Sequence, residues 1–572
     1  MRVFIILLLQ ILMFQDIFTQ INADFARVLD IPPFLSGSFG ELRTDHFHSG
    51  IDFRTQGVIR KNVFSIDDGF VSRIRIQTGG YGKAVYIDHS GGLTSVYGHL
   101  DDFNEVIGQF VKSYQYSRQT HTLEIFPEKD KLPVKKGEFI AFSGNTGNSG
   151  GPHVHFEIRE TNGQIPLNVL MLNNFGIIDK TKPVLHTLAV YPLDSMSQVN
   201  SGHSPVYFSL ERSDNGTYRI QGNKKIRISG KVGFGIEAFD FLDGSSLRCG
   251  VYSIELKVQD KTIYHFSADK FSFAESRYIN SHLDYPLLQS HKKRLHLLYR
   301  KVNNRLSMYK TLVQDGIIYA SAGDKIDAGI TVKDAAGNES ALNFNAEGVE
   351  FNPQAIREIP KHIAYFRWRG VNSYTGDDAQ VIVPQGALFE DFYFNYSVGE
   401  TKNKLYPYLH FIHDSLTPLL KPATLRIQAN MIPQNLKDKA VIVKISGNGQ
   451  KVSSGGKWEG EWLVTGISTF GRYSIDVDTI FPVIRPVNIS HDKDMRNLSS
   501  IRFTIDDNLT GISSYNGLIN NQWVLFEYDP KNKLLFYSFD RDRLQSGMKH
   551  ELEVYITDGV GNKTVYHTSF LW

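Results

Sequence analysis

Two histidines stand one residue apart in the run GGPHVHFEIRE, Gly150–Glu160. In an extended strand, side chains at i and i+2 share a face, so His153 and His155 point one way while Val154 and Phe156 point the other. Two imidazoles can then converge on one point. Upstream, HFHSGIDF sets His48 and Asp52 either side of Gly50, where a missing Cβ lets the backbone turn both side chains toward a common centre. Neutral imidazole and carboxylate are ordinary zinc ligands, and three protein ligands with an open fourth position make a catalytic rather than a structural site. A fifth candidate, His99, ends the β-patterned run TSVYGHL. A single histidine is more often a satisfied core residue than a ligand. The ordered set HxGxD, YGHL and HxH in one glycine-rich segment is far more specific.

Such residues need a β-framework to hold them. From about Asp24 to Val169 the runs GFVSRIRIQ, KAVYIDH, LTSVYGHL, EFIAFSG and HVHFEIR alternate with the turn signals GGYG, SGG and GNTGNSGGP. That alternation predicts an antiparallel β-domain with tight hairpins. From Ser113 to Pro133 a polar, charged stretch interrupts the pattern and reads as a surface insertion. Glu157 shares the face of His155 by parity, which allows contact with a ligand, although a structural role is the simpler reading. His46 lies outside the glycine-spaced pattern that selects His48, His89 reads as structural, and His121 falls inside the insertion. Cys249 reads as a small buried apolar residue.

The stretches FGELRTDHFHSGIDF, GGYGKAVYIDHSGGLTSVYGHL and KKGEFIAFSGNTGNSGGPHVHFEIR resemble the LytM/lysostaphin-type zinc metallopeptidases, the M23 family, over almost all of residues 38–170. The resemblance implies an antiparallel β-sheet domain with a groove, one zinc per chain, and cleavage of peptide bridges in bacterial peptidoglycan. Carried over by motif, His48, Asp52 and His155 are the zinc ligands. His99 and His153 correspond to the family's catalytic pair, which orients or deprotonates the attacking water and stabilises the oxyanion. All five positions are filled. The insertion and the long tail depart from the family pattern and bear on substrate choice rather than on chemistry.

The tail completes an all-β reading: a peptidase domain over 24–181, a β-sandwich module with an insert over 182–351, an accessory β-domain over 352–478 and a C-terminal β-sandwich over 479–572. The sandwiches are expected to be immunoglobulin-like, and two of them look like copies. CGVYSIELKVQD followed by AGITVKDAAGNES echoes TGISSYNGLINNQWVLFEYD followed by LEVYITDGVGNKT, each pair ending in Asp-x-x-Gly-Asn. The accessory modules show neither a ligand pattern nor a catalytic cluster, so the chemistry is expected to be self-contained before about Lys182.

Composition limits the partners. With 62 basic against 60 acidic residues, the net charge of +2 over 572 residues gives no uniform field for a polyanion, so nucleic acid is not an expected partner. Residues 1–23 carry one Arg and an apolar run from Val3 to Phe14, too short to span a bilayer, and predict a signal peptide cut after Ala23, with an uncleaved anchor as the alternative. Export then places the chain in the periplasm or cell envelope, or outside the cell, with no transmembrane span after signal removal. One cysteine permits no internal disulfide. The expected function is a zinc endopeptidase acting on peptidoglycan cross-links. Two competing readings are a catalytically silent LytM-type regulator of another wall hydrolase, and a protein that binds a protein or cell-wall partner through its C-terminal modules. A silent domain would have lost ligands, and none is missing.

Overall fold

The computed structural model describes residues 24–172, 175–354 and 362–572, and the signal segment expected over 1–23 lies outside the described residues. The glycine-punctuated runs of the N-terminal domain form β1 (Leu35–Gly37), β2 (Ile51–Arg54), β3 (Asn62–Phe64), β4 (Gly69–Ile76), β5 (Lys83–His89), β6 (Leu93–Leu100), β7 (Asp102–Phe103), β8 (Leu123–Ile125), β9 (Pro133–Val134), β10 (Phe139–Phe142), β11 (His153–Glu160) and β12 (Ile165–Leu167). The main sheet runs β1-β2-β11-β6-β5-β4-β8, with β12 added to β11 and β9 to β4, and a small sheet runs β3-β10-β7. Parity sends Val154, Phe156 and Ile158 of β11 into a core shared with Ile51, Val85, Ile87 and Tyr97. The odd-numbered residues of β11, His153 to Arg159, are left on the opposite face.

The segment expected as a surface insertion begins earlier and is ordered. Helix α1 spans Glu105–Arg118, capped by Asn104, whose side chain accepts from the Ile107 amide, and it buries Ile107, Val111 and Gln115. Its C-terminal half falls in the polar stretch, where helical spacing hid the amphipathic pattern. After the helix, β8 pairs with β4, and Leu123, Ile125 and Leu132 enter the core.

Twelve strands between Val184 and Gly348 follow. Their core takes in Phe39, Leu42 and Phe47 from the N-terminal domain, while Leu242 and Cys249 cross back into the N-terminal core. The self-contained unit expected for 24–181 is therefore corrected: apolar side chains on the loop before β2 have their partners beyond residue 182. Residues 364–477 form two five-stranded sheets and a two-stranded ribbon, and residues 483–571 form a four-stranded and a five-stranded sheet, each region with its own core. The chain is thus all-β, with β-sandwich-like modules after the first domain.

The sequence echo is a repeated topology. Strands Glu339–Gly348, Lys325–Lys333, Ser253–Val258 and Lys261–Ser267 are neighbours in that order, as are Lys563–Leu571, Lys549–Asp558, Ile512–Ile519 and Gln522–Trp523 in the last module. That last module docks on the N-terminal domain. Trp523 packs on Tyr116 of α1 and on His121, Lys112 pairs with Asp540 at 2.7 Å, and Lys83 pairs with Glu527 at 2.7 Å. Among the described residues no helix is long and apolar enough to cross a membrane.

Candidate active site

Register brings the separate motifs together. β11 pairs with β2 so that His155 stands opposite Asp52, and with β6 so that His155 stands opposite Gly98, the residue before His99. His48 arrives from the loop before β2. Gly50 is required there, though not for the turning freedom expected of it: a Cβ would lie 2.2 Å from the Phe156 carbonyl oxygen. Close passage over β11 demands the glycine.

Three ligand atoms converge. His48 Nε2 is 3.1 Å from Asp52 Oδ1 and 3.1 Å from His155 Nδ1, and His155 Nδ1 is 2.9 Å from Asp52 Oδ1. The remaining ring nitrogens fix the tautomers. His48 Nδ1 donates to the Ser38 carbonyl at 2.8 Å, and His155 Nε2 donates to Glu157 Oε1 at 2.7 Å. Two ring nitrogens and a carboxylate oxygen are then aimed at one point, an arrangement that calls for a proton or a metal cation among them. Burial disfavours charge on His155, yet Asp52 and Glu157 lift its pKa to about 9, so the pocket seeks positive charge strongly. The donor set of two imidazoles and one carboxylate is compatible with a metal ion such as zinc.

His99 and His153 form a second pair beside this centre, with ring centroids 4.7 Å apart. Between the partners Lys83↔Leu100 and Val85↔Tyr97, Gly98 and His99 face the single residue Ala84, which is a β-bulge, and His99 takes a left-handed φ of 60°. The bulge turns the His99 ring toward the site. His99 Nδ1 donates to the Thr146 carbonyl at 2.8 Å, and burial together with repulsion from His155 and His153 lowers its pKa to about 3. His99 is therefore a neutral imidazole with Nε2 free of a proton. His153 Nδ1 donates to the Gly151 carbonyl at 2.8 Å, and its Nε2 lies 3.5 Å from Asp52 Oδ1.

The structure thus gathers all five residues singled out by the sequence, and adds Tyr81 and Arg43, which sequence reading missed. Glu157 is not merely structural. Its carboxylate accepts from His155, from Tyr81 Oη at 2.6 Å, from Ser49 Oγ at 2.7 Å and from Arg159 Nε at 2.6 Å. Tyr81 also stacks on His155 at 5.0 Å. Arg43 Nη2 reaches Asp52 Oδ2 at 3.3 Å. Strand parity pointed to Glu157; nothing local pointed to Tyr81 or Arg43. The other residues lie away from the centre. His46 pairs with Asp45 in solvent, His89 is held by the Asp68 carbonyl and Ser95, and His121 packs on Tyr515 and Trp523. Cys249 is buried, and burial with nearby carboxylates pushes its pKa up to about 12.

Two histidines and a carboxylate converging on one face of a β-sheet is the kind of ligand set a metallopeptidase carries. More particularly, the Peptidase family M23 model matches residues 46–116 and 114–167, a span holding all five residues. A Zu5-like domain model matches residues 363–478. The DD-carboxypeptidase/endopeptidase Mpg of Neisseria meningitidis serogroup B is 35% identical over 128 residues, 22% of this chain and 23% of that protein. A metalloprotease of Haemophilus influenzae is 38% identical over 111 residues, 19% of this chain and 18% of that protein. The match therefore spans less than a quarter of the length of these relatives. The catalytic domain of the prophage-encoded M23 protein EnpA from Enterococcus faecalis aligns with 25% of this chain and 94% of its own at 26% identity, with a TM-score of 0.19.

Proposed function

We propose that this chain is an exported zinc endopeptidase that hydrolyses peptide cross-links of bacterial peptidoglycan in the cell envelope. The observation that carries the reading is the convergence of His48 Nε2, Asp52 Oδ1 and His155 Nδ1 beside the separate pair His99 and His153. The relative from Neisseria is a DD-carboxypeptidase/endopeptidase, which supports the substrate class. Zinc bound by the three ligands supplies Lewis acidity that polarises a carbonyl and makes a water easier to deprotonate.

The chain's own residues do the rest. Asp52 contributes the negative charge of the ligand set, with Arg43 holding its second oxygen. Ser38 and Glu157 hold the two ligand rings in the tautomers that face the centre. His99, its Nδ1 tied to the Thr146 carbonyl, presents Nε2 to orient or deprotonate the attacking water. His153, its Nδ1 tied to the Gly151 carbonyl, is placed to orient the water or to hydrogen-bond the developing oxyanion.

The test is direct. The purified chain is incubated with peptidoglycan of different wall types, with and without a chelator, and released muropeptides are identified by mass spectrometry. Chelator-sensitive cleavage at a peptide cross-link is expected. A zinc-loaded, folded chain that releases nothing from any wall type points to the silent regulator instead.

A further inference from the structure

Two carboxylate triads, each with two buried members and one half-buried, lie outside the catalytic centre, one at each copy of the repeated module. Asp179, Asp240 and Asp334 bring one oxygen each within 4.8 Å of one another, and so do Asp478, Asp507 and Asp558. Asp240, Asp334, Asp478 and Asp558 are between 1% and 4% exposed. The two clusters match residue by residue. Asp179 and Asp478 each precede a proline by four positions, and Asp334 and Asp558 each open Asp-x-x-Gly-Asn. Asn338 Nδ2 donates to Asp334 Oδ2 at 2.7 Å and to the Asp179 carbonyl at 3.2 Å, and Asn562 Nδ2 donates to Asp558 Oδ2 at 2.7 Å and to the Asp478 carbonyl at 3.0 Å.

These contacts arrange the carboxylates without neutralising them. Among the described residues no Lys, Arg or His nitrogen stands within ion-pair distance of any of the six. The independent sign of a ligand is an orphaned atom at the same position in both clusters. Asp240 Oδ1 and Asp507 Oδ1 are sealed from solvent and have no hydrogen-bond partner. A buried carboxylate oxygen without a partner is costly.

We propose that each triad is a binding site for a hard divalent cation, calcium in particular, so that the full chain holds two calcium ions besides its catalytic metal. The donors are all oxygens, with no imidazole or thiolate to favour zinc, and carboxylates drawn from three separate segments suit the adaptable coordination of calcium better than the strict octahedron of magnesium. The position states the role. In each cluster the first aspartate belongs to the segment entering the module: Asp179 follows the peptidase domain, and Asp478 ends the Zu5-like match. The other two belong to the module itself. An ion held by all three pins the connector to the sandwich and fixes the preceding domain against it. At the first site the adjoining cavity is lined by Ser38, whose carbonyl accepts from the ligand His48.

The test uses the zinc-loaded full chain. Calorimetric titration with calcium is expected to give two sites, with Asp240→Asn and Asp507→Asn each removing one and the double variant removing both. The unfolding midpoint of the parent is expected to rise by a few degrees with added calcium. Because asparagine relieves repulsion when no ion is bound, Asp240→Asn is expected to be more stable than the parent in calcium-free buffer and less stable in calcium. No binding at millimolar calcium, an unchanged stoichiometry in both single variants, or a stability difference independent of calcium would each overturn the proposal.

Discussion

The ring of Phe47 lies 5.7 Å from that of Phe271, which places the residue next to the ligand His48 inside the core of the following module. Phe271 is 1% exposed and packs its ring against Phe39, Phe47 and Phe273. Replacing it with alanine is expected to cost about 3–5 kcal/mol of stability by the cavity left behind, and to lower zinc content because the His48 loop loses its anchor. Urea unfolding and metal analysis check both effects. A fragment of residues 24–181 exposes Phe39, Leu42 and Phe47 and is expected to bind zinc poorly; full zinc loading of a well-folded fragment would refute the anchoring role.

Glu157 holds His155 through a contact of 2.7 Å. Glu157→Gln keeps the shape but weakens acceptance from the ring N–H, and zinc affinity is expected to fall by about 10–100-fold. Competition against a chromophoric chelator measures this. His155→Ala is expected to lose the metal outright.

His99→Ala and His153→Ala are expected to keep most of the zinc and to lose about 10²–10⁴-fold in turnover, the usual worth of one group in proton transfer or oxyanion stabilisation. Steady-state rates on a peptide that the parent cleaves, set beside metal content, separate this from loss of the ion. Parent-like rates in either variant remove that residue from the mechanism.

Acid is expected to destabilise the first sandwich. His282 and His296 are buried with their rings joined at 2.9 Å, and burial holds His296 down to about 4 and His282 well below its ordinary value. A depressed histidine favours the fold fully above its unfolded pKa of about 6.5 and loses that contribution as pH falls toward the folded value, because the unfolded chain takes up the proton first. For His296 alone the difference is about 3 kcal/mol. Denaturant midpoints at pH 7 and pH 4.5 are expected to differ accordingly, with a smaller drop in His296→Gln.

The last module stands over the loop that positions both catalytic histidines. Lys531 Nζ donates to the carbonyls of Asn145 and Ser149, which flank the Thr146 carbonyl that holds His99. Lys531→Ala is expected to change KM for intact sacculi by up to about 5-fold, the scale of one partly exposed contact, while kcat on a short soluble peptide stays near the parent value. A change confined to kcat would mean that Lys531 acts on His99 geometry rather than on access.

The sequence by itself determined whatever depends on short spacing. HxH on a strand puts His153 and His155 on one face whatever the rest of the chain does, and the alternation of glycine turns with β-branched runs determines an antiparallel sheet. Export remains a reading of residues 1–23 alone. The repeated Asp-x-x-Gly-Asn was visible as an echo, yet no ligand pattern was legible in it, because the three aspartates of the first module, Asp179, Asp240 and Asp334, lie 61 and 94 positions apart. Tertiary structure alone decided those meetings, the bulge that turns His99 inward, and the burial of Phe47 beneath a different module. The reason is physical: periodicity records which face a side chain takes, whereas a buried contact between distant segments depends on register and domain packing, which no local pattern encodes.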